Sequence, residues 1–239
     1  MRHMKAFFRS VVAAAAALVL ILALAGLAAC GGAGGNVDPK TVLSQASAGM
    51  KKIQGFHFVY EVHKPASAKP GAGLEIARVT GDVNAQGNMQ ATIDVTWGGV
   101  PMALGFVAMG DTHYIQDPAS QKWQSVAAKD SPVGSLSLSA GTIQILDRIT
   151  EASYVGEESK GGTKTYHIAG KVAAAEVAAI AGAVDTTNTF PTNIWVGVSD
   201  SLVYEVDIAG AATITEDAKI WRSIVLSNLN TFVDIKAPQ

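Results

Sequence analysis

Phe56-His57-Phe58-Val59-Tyr60-Glu61-Val62-His63 decides the fold class. Phe56, Phe58, Tyr60 and Val62 alternate with His57, Val59, Glu61 and His63, the period of a half-buried β-strand. Just upstream the period is helical. Asp38-Pro39 reads as a helix start, with aspartate as N-cap and proline at the first helical position. Val42, Leu43, Ala46, Met50 and Ile53 follow at helical spacing, and Gly55 reads as the residue that closes the helix. A helix therefore runs into a strand with one apolar face, and that face needs a cover.

The pattern continues downstream. Lys64 to Gly73 is a loop with two prolines and two glycines, residues 74–83 read as a strand, and Asn84 to Asn88 as a turn. Met89, Ala91, Ile93, Val95 and Trp97 alternate with Gln90, Thr92, Asp94 and Thr96, and Gly98-Gly99 turns the chain. Residues 100–109 are apolar on both faces, which predicts a strand covered on both sides or central in the sheet. Gly110-Asp111 and Asp117-Pro118 are turns on either side of a short strand before Trp123. Residues 131–149 form a second helical region, with Ile143, Leu146 and Ile149 on one face. Tyr154 to Glu157 and Thr163 to Ala169 make a hairpin around Gly161-Gly162, and Ala173 to Ala181 a short helix. Strands come next at 192–198, 202–208, 219–226 and 231–236, with Leu202, Tyr204, Val206 and Ile208 as one apolar face. The predicted fold class is α+β: a strongly curved antiparallel β half-barrel wrapped on helices.

The N-terminus says where such a domain works. Arg2, Lys5 and Arg9 precede an apolar run with no acidic residue before it, and the run ends at Leu27-Ala28-Ala29-Cys30, which holds the one cysteine. Charged n-region, apolar h-region and small residues before a cut are the marks of a secretory signal. Cysteine at the cut looks like a lipobox, whose sulfur takes a diacylglycerol. The competing reading is an uncleaved anchor, since Val11 to Ala29 is long enough to span. Both readings put the rest of the chain outside the cytoplasmic membrane. The expected division is 1–29 leader, 30–37 lipidated Cys30 and flexible tether, and 38–239 the folded domain.

Removing residues 1–29 from 239 leaves 210, enough for one domain with a real core. With Arg2, Lys5 and Arg9 gone from the 18 basic residues, 15 remain against 20 acidic ones, a net charge of −5. That balance argues against nucleic acid as a partner and against a broad electrostatic hold on anionic headgroups. With no second cysteine there is no intramolecular disulfide, so stability rests on burial and backbone pairing.

No residue constellation announces chemistry. There is no His-Glu-x-x-His and no Cys/His cluster for a metal. The serine-rich stretch Gly134-Ser135-Leu136-Ser137-Leu138-Ser139 lacks a nucleophile elbow. His57 and His63 share a strand face but stand about 20 Å apart along it, and both read as solvent-facing. The reading is therefore no enzyme, no cofactor and no metal. Residues 98–110 mix very small side chains with methionine and phenylalanine, a composition that suits either a cavity for alkyl chains or close packing.

The order of several short motifs resembles the LppX/LprA/LprF/LprG family of bacterial lipoproteins, which share the LolA/LolB-like fold. The carrying residues are Leu27-Ala28-Ala29-Cys30, Ile53-Gln54-Gly55-Phe56-His57-Phe58, Gly110-Asp111-Thr112-His113-Tyr114-Ile115 with Lys122-Trp123, Thr192-Asn193-Ile194-Trp195-Val196, Leu202-Val203-Tyr204-Glu205-Val206, and Val233-Asp234-Ile235-Lys236-Ala237-Pro238. The resemblance implies an apolar cavity between sheet and helices and a membrane-anchored, extracytoplasmic carrier of acyl lipid or glycolipid. It implies a transporter of the envelope as partner and no catalytic residue. On this reading Phe56, Phe58, Tyr60, Val62, Met102, Leu104 and Phe106 form the cavity wall, and Gly105 is a small inward residue among them. Two alternatives stay open at this point: an envelope interaction protein with a solid core, and a chaperone for the acyl chains of other lipoproteins.

Overall fold

The computed structural model describes residues 37–68, 73–131, 143, 145–181, 187–213 and 216–239. Residues 1–36, and with them the leader, Cys30 and all of the tether but Val37, lie outside the described residues, as do the whole serine-rich stretch 134–139 and part of the 64–73 loop. Met1–Val37 and Asp38–Gln239 are separate units, and the second holds every helix and strand described below.

Helix α1 (Pro39–Met50) starts as its sequence directs. Asp38 is extended, and its carboxylate accepts from the backbone N–H of Lys40 and Thr41, which fills two of the helix's orphan donors. The helix ends earlier than expected. Lys51 caps it, bonding back to Ser47 and Gly49, and Gly55 is instead the first residue of the next strand. The glycine is required there for another reason: a Cβ would lie 2.6 Å from the Thr231 carbonyl and 2.7 Å from that of Val83.

Eleven strands come after it: β1 (Gly55–His63), β2 (Leu74–Asn84), β3 (Met89–Trp97), β4 (Val100–Met109), β5 (Thr112–Gln116), β6 (Trp123–Ala127), β7 (Thr150–Lys160), β8 (Thr163–Ala173), β9 (Thr189–Gly197), β10 (Val203–Ala209) and β11 (Trp221–Ser227). A second helix, α2 (Ala174–Ala181), lies between β8 and β9. All strand pairs are antiparallel, in the order β6-β5-β4-β3-β2-β1-β11-β10-β9-β8-β7. The sheet is two meanders joined where β1 pairs with β11. It is not closed, since β6 and β7 are its edges. The segment predicted as a strand at 231–236 has no strand partner; it is held as coil, with Thr231 N–H donating to the Gly55 carbonyl.

The edge-to-edge order makes the β6–β7 connection the one crossover of the fold. The described residues just before β7 lie on the inner face. A helical turn at 145–148 buries Ile145 and Leu146. Ile149 then fills the space that a side chain at Gly170 would take, 2.6 Å from its Cβ position. Lys51 at the end of α1 is tied to Asp147 in that turn at 2.9 Å. The apolar stripe of α1 (Val42, Leu43, Ala46 and Met50) is buried, and the helix contacts β7 and β9.

Residues 100–109 form a strand with neighbours on both sides, but it lies third from the β6 edge rather than at the centre, and four of its ten residues are buried. Leu104, Phe106, Val107 and Ala108 are buried, whereas Val100, Pro101 and Ala103 are exposed. The predicted face Leu202, Tyr204, Val206, Ile208 is broken by an irregularity between Val203 and Glu205. The extra residue turns Val203 inward to join Val206 and Ile208, while the Tyr204 hydroxyl donates to Asp200 at 2.8 Å.

Candidate functional site

The registers place the expected wall residues on one face. Phe58 pairs with Gly81, Gly81 with Ala91, Ala91 with Phe106, and Phe106 with Ile115. One row further along, Tyr60, Val79, Ile93 and Leu104 are successive partners. Directly opposed residues in a ladder point to the same side, so Phe56, Phe58, Tyr60 and Val62 of β1 share a face with Met102, Leu104 and Phe106 of β4. Across β11 the same face carries Leu226 and Ile224, then Val206 on β10 and Ile194 on β9.

Burial along this face is graded. Phe58 and Phe106 are 0% exposed and Phe56, Tyr60 and Leu104 are also buried. Val62 and Met102 are only half-buried. Beyond Met102, the row Leu74–Trp97–Val100 belongs to the same face by register, and Trp97 is 58% and Val100 59% exposed. The apolar interior thus runs along β3 and β4 to the open end of the sheet without a polar break on this face. A hollow of about 310 Å³ lies elsewhere, at the other end of the strands, bordered by Leu202, Tyr204, Leu226 and Asn228 among others and by none of the seven residues expected to form the wall.

Gly105 is not part of the wall. Its neighbours Leu104 and Phe106 point inward, so Gly105 points outward, where a Cβ would meet Gln116 at 2.8 Å and the Trp123 ring at 3.0 Å. The small inward residues between Phe58 and Phe106 are Gly81 and Ala91. Gly81 is fixed by strand contact, since a Cβ would be 2.7 Å from the Ala91 Cα.

Two polar side chains on the inner face escape a reading by composition. Arg222 stands opposite Val62 and Ile208, is buried, and donates to Glu216 and to the Gly210 carbonyl. It also faces Tyr60, whose hydroxyl pKa burial pushes up against the opposing pull of the guanidinium. His113 pairs with Ala108, is 3% exposed and meets the Phe106 ring edge-on at 4.9 Å. Burial lowers its pKa. Parity alone marks both: Arg222 alternates with Ile224 and Leu226, and His113 with Ile115.

The outer face is polar and internally paired. His57 bonds to Asp82 at 2.9 Å. His63 bonds to the Ser223 hydroxyl at 2.9 Å and stacks on Trp221 at 3.7 Å. Both histidines are half-buried rather than open to solvent, because neighbouring strands bring partners to them. Further along, Trp195 is covered by Lys160, whose Nζ sits 3.7 Å over the ring, and by His167, stacked at 4.5 Å. Among the described residues no group of three or more His, Cys, Asp or Glu is placed to hold a metal.

A sequence profile of the LppX_LprAFG lipoproteins matches residues 38–234. The chain is 27% identical over 223 residues to lipoprotein LprA of Mycobacterium tuberculosis, covering 85% of this chain and 88% of that one. It is 26% identical over 166 residues to the lipoarabinomannan carrier protein LprG of Mycobacterium bovis, covering 66% of each. The fold is similar to that of crystalline LprF from Mycobacterium bovis, with a TM-score of 0.63 at 19% identity over 84% of this chain and 96% of that one. It is also similar to LppX from Mycobacterium tuberculosis, with a TM-score of 0.59 at 19% identity over 84% and 100%. With its folded unit matched almost from end to end, the chain belongs to the LppX_LprAFG family of envelope-associated lipoproteins.

Proposed function

We propose that this chain is an exported, non-enzymatic carrier, acylated at Cys30. It holds the acyl chains of a lipid or glycolipid against the inner face of the sheet and moves them through the envelope. The observation that carries the reading is the graded inner face, sealed at Phe58 and Phe106 and open at Val62, Met102 and the row beyond. Each buried CH₂ gains about 0.8 kcal/mol on leaving water, so a long chain crosses an aqueous gap only with an apolar cover. A wall that is apolar from interior to rim offers that cover along the whole path. The carrier name of the LprG relative points the same way, toward a glycolipid ligand. A diacylated Cys30 supplies two buried chains, enough for stable anchoring.

The test is native mass spectrometry of the full chain from an exporting host, followed by lipid extraction, on the wild type and on Met102→Trp. The expected result is a stoichiometric acyl lipid on the wild type and its loss from the variant, with folding intact because Met102 is only half-buried. An empty wild type that takes up no added lipid or glycolipid sinks the reading and favours a solid core that docks a protein.

A further inference from the structure

The β3–β4 hairpin ends in Trp97-Gly98-Gly99-Val100. Gly98 and Gly99 have φ of +56° and +85°, a two-residue turn that only glycine makes cheaply. It leaves a narrow tip, with nothing within 4 Å of either glycine's Cβ position. Trp97 and Val100 are direct cross-strand partners, and Leu74 completes the row from β2. Among the exposed large apolar side chains of the described residues, no other two are cross-strand partners. Pro101, next in line, is exposed as well. An apolar row held open to solvent costs free energy unless something covers it at work.

We infer that the Leu74–Trp97–Val100 row is the point at which this protein touches a lipid bilayer, with the indole of Trp97 seated at the headgroup level. Three observations select a bilayer over a protein partner. Tryptophan, with an apolar body and one N–H, is the side chain that settles at a membrane interface. The row is continuous, through Ile76, Val95 and Met102, with the inner face proposed to hold acyl chains. A chain leaving a membrane at this rim therefore stays on apolar surface throughout. Finally, the eight residues from Cys30 to Val37 reach at most roughly 28 Å, so an anchor at Cys30 keeps a bilayer within range of the domain. The second and third observations rest on the carrier reading; the first does not.

The test uses the full chain, as its exporting host leaves it, reconstituted into phosphatidylcholine vesicles whose acyl chains carry bromine near the ester end. Bromine quenches an indole that enters the interface. The expected result is partial quenching of the wild type and loss of the quenched fraction in Trp97→Phe. A second variant, Trp97→Ser with Val100→Ser, is expected to pass lipid to acceptor vesicles about tenfold more slowly than wild type when both are compared at equal lipid occupancy. Both positions are exposed, so folding is not at stake. No quenching in the wild type, or equal quenching in Trp97→Phe, overturns the inference. Unchanged transfer by the double-serine variant also overturns it. Quenching through Trp97 in a protein that carries no lipid leaves the bilayer contact standing and removes the carrier reading instead.

Discussion

Arg222 and Glu216 form an ion pair at 2.5 Å on the inner face of a sheet that is otherwise largely apolar, with Arg222 only 3% exposed. Glu216 also accepts the N–H of Ala212, so the pair ties the loop after β10 back to β11. A pair with one buried member does little for net stability, but removing the half-buried carboxylate strands the buried charge of Arg222. Glu216→Ala is expected to lower unfolding stability by about 3 kcal/mol. The double change Arg222→Met with Glu216→Leu is expected to recover most of that loss. Urea unfolding of the two variants decides it, and a double variant as unstable as the single one rules the pair out as the cause.

Acid and alkaline flanks of the stability profile answer to different residues. Asp207 on the outer face is pushed up to about 6, first by burial and then by Glu205, against the opposing pull of Lys160 and His167. Its folded pKa lies above the unfolded one, so its charged form is the disfavoured state in the fold. The penalty is absent below about pH 4, grows from there to about 6, and is complete above that. Asp207→Asn is expected to stabilise the protein at about pH 7.5 by about 1 kcal/mol, after allowance for solvent screening, and to have no effect near about pH 3.5. His113 works the other way. Burial lowers its pKa, so the unfolded chain takes up the proton first and stability falls as pH drops below about 6.5. His113→Gln is expected to flatten that limb. Unfolding midpoints from about pH 3.5 to about pH 8 separate the two, and an unchanged acid limb in His113→Gln would rule that histidine out.

Strand period and turn chemistry made most of this architecture legible. The alternation in Phe56–Val62 and Met89–Trp97 reports one buried face each, and those faces coincide. What pairs with β1 on its far side is a different kind of fact: nothing local in Trp221–Ser227 says that it joins the first strand. Gly105 shows the limit of composition. Read within the mix of residues 98–110 it looks like space in the wall, yet strict alternation with Leu104 and Phe106 already turns it outward. Gly55 shows another, since its glycine answers to carbonyls of Val83 and Thr231 that lie far away in sequence. The break in the β10 face is a bulge, which no periodicity announces. Arg222 and His113 hide for the opposite reason, because polar residues at inward positions are discounted by default.

The outward direction of Gly105 sets up a separation of stability from binding. Gly105→Trp forces a large ring against Gln116 and Trp123, whose atoms already lie 2.8 to 3.0 Å from the Cβ position. Overpacking of that kind costs about 1–3 kcal/mol. Because the clash is on the outer face, lipid occupancy of the folded fraction is expected to be unchanged. Thermal unfolding and native mass spectrometry on the same sample check both halves. Loss of lipid from protein that remains folded contradicts the placement of this residue.

The two ends of β4 are expected to respond differently to ligand. Phe106 is sealed at 0% exposure against the Ala91 row and the His113 ring, so Phe106→Ala removes packing that the fold itself needs. It is expected to cost about 3–5 kcal/mol, with or without lipid present. Met102 lies nearer the rim on the same strand, is half-buried, and has less to lose. Met102→Ala is expected to cost under about 1.5 kcal/mol in the empty protein. A ligand that binds only the folded state raises its stability by an amount set by concentration over Kd. That increment is expected to shrink in Met102→Ala and to persist in those Phe106→Ala molecules that still fold. Unfolding midpoints measured with and without added lipid give both quantities. An increment untouched by Met102→Ala places the bound chains away from the rim end of β4.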